Sequence, residues 1–537
     1  MNPIFHVCAI LGSAVVLMSA AGAGASAPKK TAPSKVRTIA IDVSKIKGPR
    51  PDAFRKCIGA GRANEGLRAD WQAQLVETKR EIDFEYIRFH GLLHDDMGVV
   101  LDGGKGNPVF NFQYIDILFD FLLSIGIRPF VELSFMPSLL ADWDHPGLNT
   151  IFWWKGVIKP PRSYEQWGAL VKALVQHATD RYGREEVKRW YFEVLNEPNL
   201  PFFWAGSMEE YFELYRVSAE AVRSVCPEYK VGGPATAGNG WIQETIDSCT
   251  RNNVPIDFIS THDYGVLEGY LDDTGSRGTV LNPDENAVKG NMVRSAEIIK
   301  ASALPGLELH YTEWSASYTP TDFIHDTYQE AAYILDKVKG AENFVTSMSY
   351  WVFTDIFEEA GPRIAPFHGG FGLMNMQGLK KPAYHAYRFM NRLGPVELEN
   401  SDAESWACTD DCGNVQVLFW DFTVTPNPDS LNNQLFYRRE LPARAARPCL
   451  VRMQGLAPGH YGLEVTRTGY RSNDVYTAYL DMGSPAHLGR QQMETLRSIS
   501  AGNPELRAVV RVNPDGTFAR QFPLSENDVI LLELKKL

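Results

Sequence analysis

One pattern limits what this chain can fold into. Between about residue 55 and residue 393, short apolar runs alternate with longer amphipathic ones, eight times over. The strand candidates are "KCIGAG" (56–61), "FEYIRFH" (84–90), "RPFVELSF" (128–135), "RWYFEVLN" (189–196), "YKVGGP" (229–234), "DFISTH" (257–262), "LELHYTE" (307–313) and "SMSYWVF" (347–353). Helix-like segments follow near 68–81, 112–125, 164–182, 208–225, 240–252, 290–302, 324–339 and 383–392. Ser163 with Gln166 and Ser207 with Glu210 match the capping box that opens a helix. Gly126 is a helix stop. Strands apolar on both faces, alternating with helices, imply a parallel sheet. Eight such units predict a (β/α)8 TIM barrel, an α/β fold. A doubly wound open sheet fits less well, because "GAGRAN" (59–64) lacks the third glycine of G-x-G-x-x-G.

The flanks read differently. After residue 395, "VQVLFWDFTV" (415–424), "GLEVTRTGY" (462–470), "RAVVRV" (507–512) and "DVILLELKKL" (528–537) read as strands, with "NPDG" (513–516) as a turn. Helix signals are sparse there, so an accessory β-sandwich is expected. "VRTIAIDVS" (36–44) alternates well and is expected to add a strand to it. Residues 1–27 contain no Lys, Arg, Asp or Glu and end in an A-x-A site at Ala27. They read as an export signal, since the apolar run falls short of the ~20 residues a membrane span needs. The expected organisation is therefore a signal peptide at 1–27, an N-terminal segment at 28–54 that joins the sandwich, a barrel at 55–394 and a sandwich at 395–537. A secreted or periplasmic location follows, and it would permit disulfides. Cys408 with Cys412, or either with Cys449, are the candidates; free buried thiols are the alternative. The chain is 44% hydrophobic, and its net charge of −12 argues against nucleic acid or an anionic membrane as a partner.

In such a barrel the functional residues gather at the C-terminal strand ends. Strand two ends in Arg88 and His90, strand four in Asn196 and Glu197, strand six in His262 and Tyr264. Strand seven ends in Glu313 and Trp314, and strand eight in Trp351, followed by Asp355, Glu358 and Glu359. Glu197 and Glu313 can meet only across the barrel mouth. Two facing carboxyls are what glycoside cleavage requires, one protonated and one ionised. Different surroundings at a barrel rim can supply that difference. Alternatively, the two are structural carboxylates held by Arg88 or by backbone N–H groups.

These residues also carry a resemblance. "FEVLNEP" and "HYTEWSAS" look like the acid/base and nucleophile motifs of glycoside hydrolase clan A. "IRFHGLLHDDM" (87–97), "FEVLNEPNLPFFW" (192–204), "HYTEWSAS" (310–317) and "YWVFTDIFEE" (350–359) together resemble family 39, the β-xylosidases and α-L-iduronidases. The resemblance spans roughly residues 36–395 through its motifs. It implies a retaining mechanism, with Glu197 as acid/base and Glu313 as nucleophile. It further implies that Asn196 binds the sugar 2-hydroxyl and that His90, His262, Trp351 and Glu358 line the first sugar subsite. Tyr264 would orient Glu313, and Phe203 would border the pocket.

The expected activity is thus exo-acting release of xylose from xylo-oligosaccharides, with an oligosaccharide partner and no cofactor. Arabinosides or uronic acid glycosides are the alternative substrates, and a non-catalytic carbohydrate-binding protein is the rival class. His90, His94, Asp95 and Asp96 make a poor metal set, because H-x3-H at a strand end brings no third ligand. Trp143, Trp153 and Trp154 lie in a long insertion (138–156), either as a rim that stacks sugars or as a cluster fastening the loop.

Overall fold

The structure is a computed structural model describing residues 36–148, 152–271, 277–428 and 431–537. The expected signal peptide lies outside the described residues. Among the described residues, no helix is long and apolar enough to cross a membrane.

Eight parallel strands close into a barrel in sequential order. They are β1 (Cys57–Arg62), β2 (Tyr86–His90), β3 (Arg128–Leu133), β4 (Tyr191–Val194), β5 (Lys230–Thr236), β6 (Phe258–Tyr264), β7 (Glu308–Ser315) and β8 (Ser347–Tyr350). The helices between and after them are α1 (Ala69–Ile82), α2 (Gln113–Ser124), α3 (Tyr164–Tyr182), α4 (Met208–Val225), α5 (Ile242–Asn252), α6 (Lys289–Ala301), α7 (Gln329–Ala341) and α8 (Pro382–Asn391). Two of them, α3 and α4, begin at a side-chain cap. At α4, Ser207 and Glu210 form the full reciprocal box, with N–H···O distances of 2.7 and 3.2 Å. At α3 the serine half is present, Ser163 Oγ accepting from Gln166 N at 3.3 Å. Gly126, just past α2, has φ 75°, which only glycine adopts without strain.

The barrel interior is divided along its axis. At the N-terminal end, Cys57, Phe130, Tyr191 and Phe258 form an apolar plug, with Phe130 and Tyr191 stacked at 4.9 Å. His310 joins this plug, packed on Phe130, Tyr191 and Phe258 and bonded to Ser347 and Glu308, while the buried Arg88, Glu132, Glu193, Glu197 and Glu313 lie further towards the C-terminal end.

The sandwich has a three-stranded sheet, ordered Arg37–Asp42, Cys449–Gln454, Phe518–Phe522, and a seven-stranded one. The latter runs Ile46–Pro49, Val396–Leu398, Ser405–Thr409, Val415–Trp420, Val529–Lys536, Gly459–Thr468, Leu506–Val512. Ile39, Val451 and Phe522 from one sheet pack with Val417, Phe419, Ile530 and Leu532 from the other. Residues 513–516 do turn, Gly516 N donating to Asn513 O at 2.9 Å, and they hand the chain from one sheet to the other.

Two expectations are corrected here. The region is not poor in helix: Val475–Asp481 and Arg490–Ile499 are helical, and Val475, Tyr476, Tyr479 and Leu496 pack against Phe367 and Leu379 below the barrel mouth. Nor are the candidate disulfides formed. Cys57, Cys226, Cys249, Cys408, Cys412 and Cys449 are free thiols, all buried but Cys412. Cys408 sits inside a strand opposite Gln416, while Cys412 is exposed in the turn beyond it.

Candidate active site

The site is built around one buried cation. Arg88 lies in the middle of β2 and is fully buried, so its charge must be met inside the barrel. Nε donates to Glu193 Oε2 at 2.6 Å, Nη1 to Glu313 Oε1 at 2.7 Å and Nη2 to Asn196 Oδ1 at 2.8 Å. Glu132 Oε2 lies 2.9 Å from Nη2. Burial works against the guanidinium's charge, but Glu193, Glu132 and Glu313 together hold its pKa above the ordinary value. Arg88 thereby fixes strands β2, β3, β4 and β7 against one another at the level of the mouth.

Glu197 follows β4 in a sharp turn, with φ 66° at Leu195 and 42° at Glu197. A non-glycine residue at positive φ is costly, and two in three residues are held here by neighbours. Glu197 N donates to Ala235 O at 2.8 Å, tying the turn to β5. The carboxyl Oε1 lies 2.9 Å from His262 Nδ1. Burial first, and then the charge of Glu313, push the Glu197 carboxyl well above the usual carboxylate range. Glu313, in β7, is held by two donors instead: Arg88 on Oε1 and the Tyr264 hydroxyl on Oε2 at 2.6 Å. One oxygen of Glu197, one of Glu313 and a nitrogen of His262 all lie within 4.8 Å of one another. Two glutamates of unlike surroundings therefore face each other across a gap of sugar-atom size.

The other expected residues divide. His90 Nδ1 is 2.8 Å from Glu132 Oε2, and its Nε2 points to Glu313 Oε1 at 3.6 Å. Burial opposes protonation of this imidazole, yet Glu132 holds its pKa above the ordinary value. The Trp351 ring lies 4.7 Å from His90, on a shelf made by Gly59, where a Cβ would fall 2.5 Å from Trp351 Cε3. Phe203 closes one side with Phe152, ring centroids 5.4 Å apart. Asn196 offers a buried Nδ2 with no hydrogen-bond partner in the protein, a donor aimed at something absent from the chain itself. His262 is fully buried and reaches the site through Glu197.

Glu358 is not brought to this cluster: its carboxylate pairs with Arg68 Nη1 at 3.0 Å and Arg62 Nη2 at 3.5 Å. Its neighbour Glu359 turns inward instead, 3.7 Å from His90 Nε2. Burial, opposed by His90 and reinforced by Glu313, pushes the Glu359 carboxyl up to about 7. In the long insertion, Trp154 is buried and stacked on Phe152 at 4.9 Å, whereas Trp153 is 59% exposed, its backbone N–H bonded to Glu359 O at 2.9 Å. His94 turns to Asp96 and to the Trp154 ring, away from His90. Among the described residues, Glu197, His262 and Glu313 have the spacing of a metal-binding set, but the Arg88 guanidinium already holds Glu313.

Sequence reasoning passed over Glu132 and Glu193. Their signal was nonetheless present: a single glutamate in the apolar runs "PFVEL" and "YFEV", beside a single arginine in "YIRFH". An isolated charge at an inward position of a barrel strand needs a partner on a neighbouring strand.

The model for "Glycosyl hydrolases family 39" matches residues 37–518. The chain belongs to that family. A family-39 neighbour among solved structures, from Xanthomonas axonopodis pv. citri, superposes with a TM-score of 0.91 at 41% identity, covering 95% of this chain and all of that one. A monomeric β-xylosidase from Caulobacter crescentus superposes with a TM-score of 0.89 at 42% identity, over 93% of this chain and all of that one. A β-xylosidase of Caldicellulosiruptor saccharolyticus is 41% identical over 480 residues, 86% of this chain and 91% of that protein. The (β/α)8 barrel and the glycoside hydrolase class are thus those of family 39.

Proposed function

We propose that the chain is a retaining β-xylosidase that releases xylose from the ends of xylo-oligosaccharides. The observation that carries this is the approach of Glu197 and Glu313 to within 4.8 Å. Retaining enzymes hold their carboxyls ~5–5.5 Å apart; inverting ones need ~6.5–9.5 Å to admit a water. Glu313, gripped by Arg88 and Tyr264, attacks the anomeric carbon. Glu197 gives its proton to the departing oxygen as the glycosidic bond breaks. In the second step Glu197 takes a proton from water, and that water displaces Glu313. Asn196 Nδ2 donates to the sugar 2-hydroxyl. His90, Glu359, Trp351 and Phe203 enclose the ring.

A neutral pentose fits the charge of this pocket. A uronate would add a negative charge beside Glu313 and, where it is ionised, Glu359; a full pair of charges 4 Å apart costs about 4 kcal/mol at an effective dielectric of ~20, and Arg363 near Glu359 offsets part of it. The β-xylosidase names of relatives near 41% identity support the same reading. We also propose export, with cleavage after Ala27; the mass of the mature protein recovered from outside the cytoplasm checks it.

The test uses aryl β-D-xyloside, α-L-arabinoside and α-L-iduronide, with the first product followed by NMR. We expect xyloside turnover with a β-configured first product and covalent labelling of Glu313 by a 2-fluoro-xyloside. An α-configured first product or a label elsewhere would overturn the mechanism. Preference for the iduronide would overturn the substrate.

A further inference from the structure

The contact between His262 Nδ1 and Glu197 Oε1 has two solutions, since either partner can be the donor. Residues behind His262 decide between them. Its Nε2 is 3.1 Å from Thr312 Oγ1, and Thr312 Oγ1 is 2.9 Å from Glu193 Oε1. The other oxygen of Glu193 accepts from Arg88 Nε. Burial raises the pKa of the Glu193 carboxyl, and the Arg88 guanidinium at 2.6 Å opposes that rise; as the carboxylate that the Arg88 contact favours, Glu193 accepts on both sides. A threonine hydroxyl has a single proton. Given to Glu193, it leaves Thr312 Oγ1 only lone pairs to offer, so His262 Nε2 must carry the hydrogen. A neutral imidazole carries one N–H, and His262 Nδ1 is then an acceptor.

We propose that Glu193 and Thr312 are positioning residues that fix His262 as its Nε2–H tautomer, so that the Glu197 carboxyl donates across the 2.9 Å contact and the acid rests protonated. This rests on the reading of Glu197 as the acid/base. Each link is fully or nearly fully buried: Glu193, Thr312 and His262 are 0% exposed and Glu197 is 7% exposed. Solvent thus reaches the relay only at its Glu197 end, while Glu193, Thr312 and His262 have no accessible surface at which water could replace a partner. Burial, with Arg88 and His90 nearby, pushes the His262 imidazole well below its ordinary pKa, which keeps it neutral. The charged and titratable groups facing Glu197 are Glu313 on β7, Arg88 on β2, Glu132 on β3, His262 and Tyr264 on β6, and Glu359 after β8. Those facing His262 are Arg88, His90, Glu197 and Glu313. Three of the neighbours of Glu197 are carboxyls, so its ionised form is opposed from several strands. The relay adds a directional preference that bulk electrostatics lacks.

The arrangement also states where the proton waits. It lies on Oε1, toward His262, and the leaving oxygen must draw it out when substrate arrives.

The experiment has two readouts. Long-range 1H–15N spectra of histidine-labelled enzyme should show His262 as the Nε2–H tautomer; an Nδ1–H pattern overturns the proposal without any assay of activity. The second readout is the alkaline limb of kcat/KM on a xyloside with a poor leaving group. Thr312→Val removes the acceptor for Nε2–H and lets His262 turn its proton toward Glu197, so the limb should fall by about one pH unit. Thr312→Ser keeps the hydroxyl and should keep the limb. Glu193→Gln can present its amide N–H to Thr312, which reverses the relay; the tautomer should switch and the limb should fall. An unchanged limb in Thr312→Val, or a loss equal at every pH, overturns the proposal. Should that variant not fold, the wild-type spectrum decides alone. If the tautomer is as stated but no glycoside is turned over, the β-xylosidase reading fails and the placement of the proton stands.

Discussion

Two buried ionic clusters lie near the mouth of this barrel, and they are built to opposite rules. In one, Lys381 is fully buried with Nζ 2.6 Å from Asp326 Oδ1 and 2.7 Å from Asp355 Oδ2. The remaining oxygens accept from backbone: Asp326 Oδ2 from Gly369 N and Asp355 Oδ1 from Gly372 N, both at 2.7 Å. Every carboxylate oxygen there is used by the protein. In the other, Arg88 is the one arginine that Glu132, Glu193 and Glu313 share, with Glu197 and Glu359 close by and the Nδ2 of Asn196 left open. The first cluster is closed and fastens loops. The second carries surplus negative charge and spare hydrogen-bonding capacity. An interior that leaves charge and donors uncommitted gives up stability, and the open groups mark where a substrate would complete it.

The largest expected effect separates the clusters by activity. Glu313→Ala should lower kcat by a factor on the order of 10^4 or more, since both chemical steps pass through this oxygen. Its Tm should hold or rise, because one surplus carboxylate is gone and Arg88 keeps two others. Loss of fold together with activity would erase the distinction. Next in size, Lys381→Met leaves two buried aspartates without their cation and should cost about 3–5 kcal/mol in urea unfolding. The folded fraction should hydrolyse aryl xyloside as the parent does; a specific loss of kcat would make this cluster part of the site.

The smallest of the three concerns pH. Glu359 titrates at about 7 in the folded protein. In the unfolded chain it titrates near ~4.3. Between those values the folded state holds the extra proton, so stability from this group is present at low pH and lost as pH rises through 7. The loss is up to about 4 kcal/mol. Glu359→Gln should flatten the difference in unfolding free energy between pH 4.5 and 7.5. An unchanged slope would show that Glu359 does not carry it.

The barrel was legible because its constraint is periodic: short apolar runs alternate with longer amphipathic ones, and the starts of α3 and α4 are marked by their serine caps. β5, β6 and β7 all run two residues past their expected ends, because C-terminal strand ends in this fold carry polar residues that look like loop. The sandwich was harder. "CLVRMQ" alternates cleanly, with Cys449, Val451 and Met453 buried and Arg452 and Gln454 exposed, yet it lies in a proline- and arginine-rich surround. Val475–Asp481 is short, and its buried face is filled by tyrosines that suit a strand equally well. Within the site, the strand-end glutamates stood out because a charge at the end of an apolar run is hard to explain otherwise. The sequence reading places Glu358 in the subsite and leaves Glu359 out, whereas Glu359 is the one that turns inward; adjacent loop residues point opposite ways, and only the positions of Arg62, Arg68 and His90 decide which way each goes.

The sandwich has a consequence in time. Arg37–Asp42 pairs in parallel with Cys449–Gln454, and Asp42 and Gln454 bond across 412 residues of sequence. Ile46–Pro49 likewise waits for Val396–Leu398. At a synthesis rate of ~5–20 residues per second, the first strand stays without its partner for roughly 20–80 s. In the barrel every pairing except the closing one, β8 with β1, joins strands consecutive in sequence, so most of its strands meet a partner as they emerge. The clasp between the two flanks therefore closes only after the whole barrel has emerged. During that interval an alternating, apolar edge strand is exposed to any other chain that offers it a ladder.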